Sequence, residues 1–161
     1  VDVLPFSAAR ALSVHRASGS LALVSLDQGR PLAEIPVGAG AFAVALSADR
    51  SRAVATCRDD GTLAVVALRG DTLERTASVA VGPEPRGVAL ARDGRRAYVA
   101  LAGADAVAEV DLDAGRVVRR LPVGVEPWHV ALSPDQKTLV VGNTRSRDAT
   151  VLALPSGALR H

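Results

Sequence analysis

Aromatic side chains are scarce in this chain: Phe6, Phe42, Tyr98 and Trp128 are the four it has in 161 residues. With 48% hydrophobic residues there is still enough apolar material for one core, but it must be built from many small Ala, Val and Leu contacts. A single cysteine, Cys57, excludes an internal disulfide framework and the paired C-x-x-C spacing of a structural zinc site. No apolar run approaches the ~18 residues of a membrane-spanning helix, and the N-terminus lacks the charged-then-apolar order of a signal peptide. Charge of one sign is also missing. Nineteen basic residues, of which only Lys137 is lysine, stand against seventeen acidic ones, leaving a formal charge of +2. That excess is too small and too dispersed for a nucleic-acid footprint. Enzyme signatures are missing too: there is no G-x-S-x-G elbow, P-loop, G-x-G-x-x-G or C-x-x-C-H haem attachment.

What is present is a repeat. Val37-Gly38, Val81-Gly82 and Val123-Gly124 fall 44 and 42 residues apart. Ala9 to Gly38 aligns without a gap to Arg95 to Gly124, with eleven of thirty positions identical. Each unit reads as four short strands, runs rich in Val, Ala and Leu separated by turn residues. In the third unit the expected strands are Arg86 to Ala91, Arg96 to Leu101, Ala106 to Leu112 and Val117 to Val123. Alternation predicts that Val107, Glu109 and Asp111 face one way and Ala108, Val110 and Leu112 the other. The turns SADRS, ARDGR and SPDQK, and DQGR, RGDT, DAGR and PSGA, carry Gly and Asp where a hairpin needs positive φ. Four-stranded units of about forty residues in tandem predict an all-β chain of antiparallel β-propeller blades.

The pattern V-G-x-x-P-x-x-V-A-L-S-x-D, met by VGPEPRGVALARDGRRAYVA and VGVEPWHVALSPDQKTLVVGN, resembles the YVTN-type β-propeller repeat of bacterial and archaeal exported proteins. The tetrad that names the family stands here as LSVH, VATC, YVAL and VVGN, and only the last keeps the final Asn, Asn143. Four blades are expected, about 1–38, 39–82, 83–124 and an incomplete 125–161. Aligning Asp2 to Pro5 with Val44 to Ser47 makes the chain begin within a first strand and end within a fourth. Propellers close with four to eight blades and the family resemblance implies seven, so the expectation is a piece of a larger ring, cut at both ends, with a self-closing four-blade ring as the alternative. Open terminal blades expose apolar faces and strand edges, so self-association through them is expected.

Within this frame Trp128 is equivalent to Phe42 and Arg86, and His129 to Ala43 and Gly87, at the start of the innermost strand where it meets the channel mouth. Three large side chains of different chemistry predict a position tolerant of size that points into open space. They either plug the channel or form a ligand surface; variable loop positions are where repeat proteins bind. His15, Cys57, Leu101 and Asn143 form a second equivalent ring, but matching positions diverge from the axis beyond the ~2.0–2.3 Å of zinc ligation, so no metal is expected. Arg69-Gly70-Asp71 spells an adhesion tripeptide in a turn that wants Gly and Asp on conformational grounds. Arg145, Arg147 and Asp148, with Arg58, Asp59 and Asp60, decorate a mixed-charge rim on the channel-mouth face. His15, His129 and His161 fall in different blades with no repeated nucleophile or carboxylate beside them.

The expected function is a non-catalytic binding or scaffold module whose site comprises Phe42, Arg86, Trp128, His129, Asn143 and Arg145. Its partner is a protein, glycan or small molecule, with no cofactor, nucleic acid or membrane insertion. The family resemblance implies a periplasmic or extracellular setting. It also leaves two alternatives: the propeller part of a lactonase-like or cytochrome- or peroxidase-fused redox enzyme, and a surface-layer structural repeat.

Overall fold

The computed structural model describes residues 2–159, which form sixteen strands in four four-stranded antiparallel sheets, each with strands in chain order. Blade 1 holds β1 (Asp2–Ser7), β2 (Arg10–His15), β3 (Ser20–Ser25) and β4 (Arg30–Pro36). Blade 2 holds β5 (Ala41–Leu46), β6 (Arg52–Cys57), β7 (Thr62–Arg69) and β8 (Thr72–Ala80). Blade 3 holds β9 (Pro85–Leu90), β10 (Arg96–Leu101), β11 (Ala106–Asp111) and β12 (Arg116–Pro122). Blade 4 holds β13 (Pro127–Leu132), β14 (Thr138–Asn143), β15 (Asp148–Ala153) and β16 (Ala158–Leu159). The strands of the third unit thus lie within a residue or so of their expected bounds. His161 lies outside the described residues.

Blades pack face to face through both sides of their middle strands, which is why those strands read as nearly continuous apolar runs. Leu12, Val14, Leu21 and Leu23 of blade 1 meet Ala53, Ala55, Ala64 and Val66 of blade 2. Val54, Leu63 and Val65 turn the other way, onto Ala97, Val99, Ala108 and Val110 of blade 3. Tyr98 and Val107 in turn meet Leu139, Val141 and Leu152 of blade 4. The alternation read in β11 therefore holds, with each face serving a different neighbour. The inner strands touch in chain order, β1 with β5, β5 with β9 and β9 with β13.

Asp2 to Pro5 sits one residue off its expected frame. Val3 lies opposite Ser13 as Val44 lies opposite Ala55, so Pro5 matches Leu46 rather than Ser47. A register shift between Pro5 and Ser7 restores the frame by making Phe6 the extra residue.

Turn chemistry repeats with the blades. In blades 2, 3 and 4 the residue closing the first-to-second-strand turn is left-handed, with φ of 61° at Arg50, 68° at Gly94 and 61° at Gln136. So is the residue closing each second-to-third turn: Gly19 (64°), Gly61 (68°), Asp105 (48°) and Arg147 (59°). The S-x-D part of the motif explains itself in blade 2. Ser47 Oγ donates to Asp49 (2.6 Å) and accepts from the Arg52 amide (3.0 Å), while Asp49 also accepts from the Ser51 amide (3.1 Å).

The glycine of each V-G pair is explained by its neighbour at the end of the second strand. A Cβ on Gly38 would meet Cys57 Sγ at 2.8 Å, one on Gly82 would meet Leu101 Cδ1 at 3.0 Å, and one on Gly124 would meet Asn143 Nδ2 at 2.5 Å. Blades 2 and 3, which lack the tetrad asparagine, thus fill the place with Cys57 and Leu101, both fully buried.

Candidate functional site

Phe42, Arg86 and Trp128 each follow the first residue of an inner strand, and each lies in a local break of the ladder. Phe42 and Ala43 fall between the pairs Ala41–Cys57 and Val44–Ala55. Arg86 and Gly87 fall between Pro85–Leu101 and Val88–Val99, and Trp128 between Pro127–Asn143 and His129–Gly142. A bulge re-aims the side chain it carries. Here it corrects the expectation that these side chains point into open space: they turn onto one another.

The Arg86 guanidinium carbon sits 4.1 Å from the Trp128 ring centroid and 5.1 Å from that of Phe42. The two rings meet edge to face with centroids 5.7 Å apart. Arg86 is only 7% exposed, so its charge is held by ring faces and one carboxylate. Glu84 Oε2 lies 3.3 Å from Arg86, and Glu84 Oε1 lies 3.3 Å from Arg58. Burial, and then the nearby charges of Arg58 and Arg16, pull the Arg86 pKa down, while Glu84 opposes them. Thr56 places the Arg86 backbone: its buried hydroxyl donates to the Arg86 carbonyl (2.7 Å) and accepts from the Ala43 amide (3.0 Å). No pattern in the sequence marked Thr56, because the equivalent positions are Val14, Ala100 and Gly142.

A cavity of about 370 Å³ opens beside the stack, lined by Phe42, Gly87, Trp128 and His129 with Asp2 and Arg16 from blade 1. Gly87 permits the inner strands to close on each other, since a Cβ there would lie 2.6 Å from the Trp128 carbonyl oxygen. His129 is exposed on the cavity wall. Arg145 stays apart on the rim, beside a hollow shared with Glu84, Asp105 and Glu126. Asn143 is turned into its own hairpin and buried, donating to Asp148 (2.8 Å) and Thr150 (2.9 Å). The structure thus brings Phe42, Arg86, Trp128 and His129 to one place and sets Arg145 and Asn143 elsewhere.

In the second ring, His15 lies 3.5 Å from Glu34 and 3.1 Å from Ser13, while burial raises the pKa of the Cys57 thiol. Among the described residues no group of three or more His, Cys, Asp or Glu is placed to hold a metal ion. The Asp71 carboxylate of the Arg-Gly-Asp turn is paired with Arg10 at 2.8 Å.

Four-stranded antiparallel sheets stacked face to face, with their first strands innermost, define a β-propeller chain. The chain is 34% identical over 137 residues to a seven-bladed beta-propeller protein of Mycobacterium tuberculosis, a match covering 81% of this chain and 34% of that protein. No protein-family model matches it. Among solved structures it is similar to hydrazine synthase of Kuenenia stuttgartiensis, with a TM-score of 0.88 and 22% identity over 99% of this chain and 47% of that one. A protein of Bacteroides uniformis, provisionally assigned as a 6-phosphogluconolactonase, matches with a TM-score of 0.80 and 15% identity over 99% of this chain and 52% of that one. The chain therefore spans about a third of the curated relative and about half of these structures. At such identities the structural likeness establishes the fold alone.

Proposed function

We propose that this chain is a non-catalytic binding module of a YVTN-type propeller, and that it acts through the channel-mouth cavity. The observation that carries the reading is the Phe42–Arg86–Trp128 stack beside a cavity of about 370 Å³. Three bulged inner strands from three blades assemble one rigid aromatic wall whose rings are fixed by the buried Arg86, with Asp2, Arg16 and His129 as its polar groups, and rigid walls with a few polar groups are what ligand sites use. The partner is a protein, a glycan or a small molecule, and the setting is periplasmic or extracellular, as the repeat resemblance implies.

Screening glycan and metabolite libraries by thermal shift tests this reading, using the wild type beside His129→Ala and Trp128→Ala. His129 is exposed, so its loss should leave the melting temperature in place while abolishing the shift produced by a true ligand. A ligand whose effect survives both substitutions refutes the site. Lactone hydrolysis by the wild type that is lost in His129→Ala would replace the binding reading with an enzymatic one.

A further inference from the structure

We infer that Glu84 is a built-in occupant of an oxyanion site formed by Arg58 and Arg86, and that the module's ligand is a small molecule bearing a carboxylate or phosphate that displaces it. The inference rests on the binding reading above through Arg86, which it shares with the aromatic stack, while Arg58 and Glu84 line a neighbouring hollow and not the channel-mouth cavity itself. The two Glu84 oxygens are divided between two guanidinium groups, each 3.3 Å away. Charge-assisted contacts of this kind close to about 2.7–2.9 Å when geometry allows. Glu84 stays longer than this on both sides, and its carboxylate is tethered to a backbone in the left-handed region, with φ of 48°.

The cations remain short of acceptors. Arg58 Nε and Arg86 Nε are both buried without a hydrogen-bond partner, a state that native proteins seldom leave unexplained. The guanidinium of Arg86 is fixed by two ring contacts, so its side of the site needs little ordering when a ligand arrives. Glu84 itself is removable: its side chain is 46% exposed and it stands between two open hollows, one lined by Arg58 with Asp59 and Asp60, of which Asp59 lies 3.9 Å from Arg58, and the other by Asp105, Glu126 and Arg145. A free oxyanion, not tied to a strained backbone position, can approach both arginines more closely than Glu84 does.

The test titrates the full chain with sodium acetate and with inorganic phosphate, each against sodium chloride of equal ionic strength. Binding is read by isothermal titration and by emission of Trp128, whose ring touches the Arg86 guanidinium. An occupant present in about nine of ten molecules lowers apparent affinity about tenfold, so Glu84→Gln should bind at least one of the two anions about tenfold more tightly than the wild type. The preferred probe distinguishes a carboxylate ligand from a phosphate. Glu84→Gly should show the same gain, and at a left-handed position glycine removes strain, which guards against a folding artefact. Adding Arg58→Gln to either variant should erase the gain.

Equal anion affinity in wild type, Glu84→Gln and Glu84→Gly overturns the inference, as does a gain that persists without Arg58. Neither result touches the channel-mouth reading, which stands or falls on ligand shifts in His129→Ala and Trp128→Ala.

Discussion

Replacing Gly87 with alanine should loosen the inner wall of the propeller where β9 meets β13. The added Cβ would lie 2.6 Å from the Trp128 carbonyl oxygen and 3.1 Å from His129 Cα, and both are backbone atoms that cannot swing aside. A carbon and a carbonyl oxygen in contact rest at about 3.3–3.6 Å, so the strands must part by roughly 0.7 Å or more. Overpacking of this kind costs about 1–3 kcal/mol. For a chain of this length that corresponds to a fall in melting temperature of about 3–10 °C. Emission from Trp128, the only tryptophan, should change as well, because its ring loses the fixed contact with Arg86.

Gly142 supplies the control. It is also a glycine in a strand, but no atom lies within 4 Å of its ideal Cβ and its φ is not in the left-handed region. Gly142→Ala should leave the structure in place and raise stability by up to about 1 kcal/mol through the unfolded chain. Urea denaturation followed by tryptophan emission measures both variants. If Gly87→Ala melts and emits like the wild type, close approach of the inner strands does not set the position of the stack.

Two further outcomes follow from polar contacts away from the site. Asp49 has its pKa lowered from 3.8 to about 2, chiefly by the Ser47 hydroxyl and then by the Ser51 amide and hydroxyl. The group is charged and bonded when folded, so its contribution is present above the unfolded value and lost as pH falls from about 4 towards 2. Asp49→Asn should flatten the melting temperature across that window, and an unchanged pH profile would count against the turn. Arg119 joins Glu109 of its own blade (2.6 Å) to the Ser156 carbonyl (2.9 Å) and the Pro155 carbonyl of blade 4. Arg119→Ala should cost about 1–3 kcal/mol in urea denaturation, at the lower end because the side chain is 31% exposed. A midpoint equal to that of the wild type would show that this tie between blades contributes nothing.

The architecture was legible because the repeat multiplies each weak local signal. One strand pattern such as Ala106 to Asp111 is ambiguous, but the same pattern recurring with the same turns fixes both strand order and blade spacing. The equivalence of Phe42, Arg86 and Trp128 was legible for the same reason. Their mutual stacking was not, since it depends on bulges that break the period-two rule where the side chains emerge. Thr56 escaped because it acts once, in one blade, and a repeat alignment highlights what recurs. Glu84 recurs as Glu126, but Ala102 and Trp128 stand there where Arg58 and Arg86 flank Glu84, so its ion pairs do not recur. Asn143 drew attention as the surviving tetrad residue, yet its amide serves the Asp148 and Thr150 side chains of its own hairpin.

The divergence among repeats follows the surroundings of each face. At the end of the second strand a buried side chain, Cys57, Leu101 or the hydrogen-bonded Asn143, stands where a preceding blade packs against it, and the half-exposed His15 stands in blade 1, where no other blade among the described residues does. Ser13 and Glu34 join His15 on that face, and Ser20 donates to Glu34, so the polar groups satisfy one another. Each outer face also carries an exposed valine, Val3 at 57% beside Ser13 on blade 1 and Val140 at 40% on blade 4, and at blade 4 a further apolar surface would gain by covering it. Covering blade 1 instead would bury a histidine and a carboxylate, which is favourable only if their hydrogen bonds persist in the dry contact. The two outer faces are therefore unequal, and the difference is written in side chains that vary at fixed positions of the repeat.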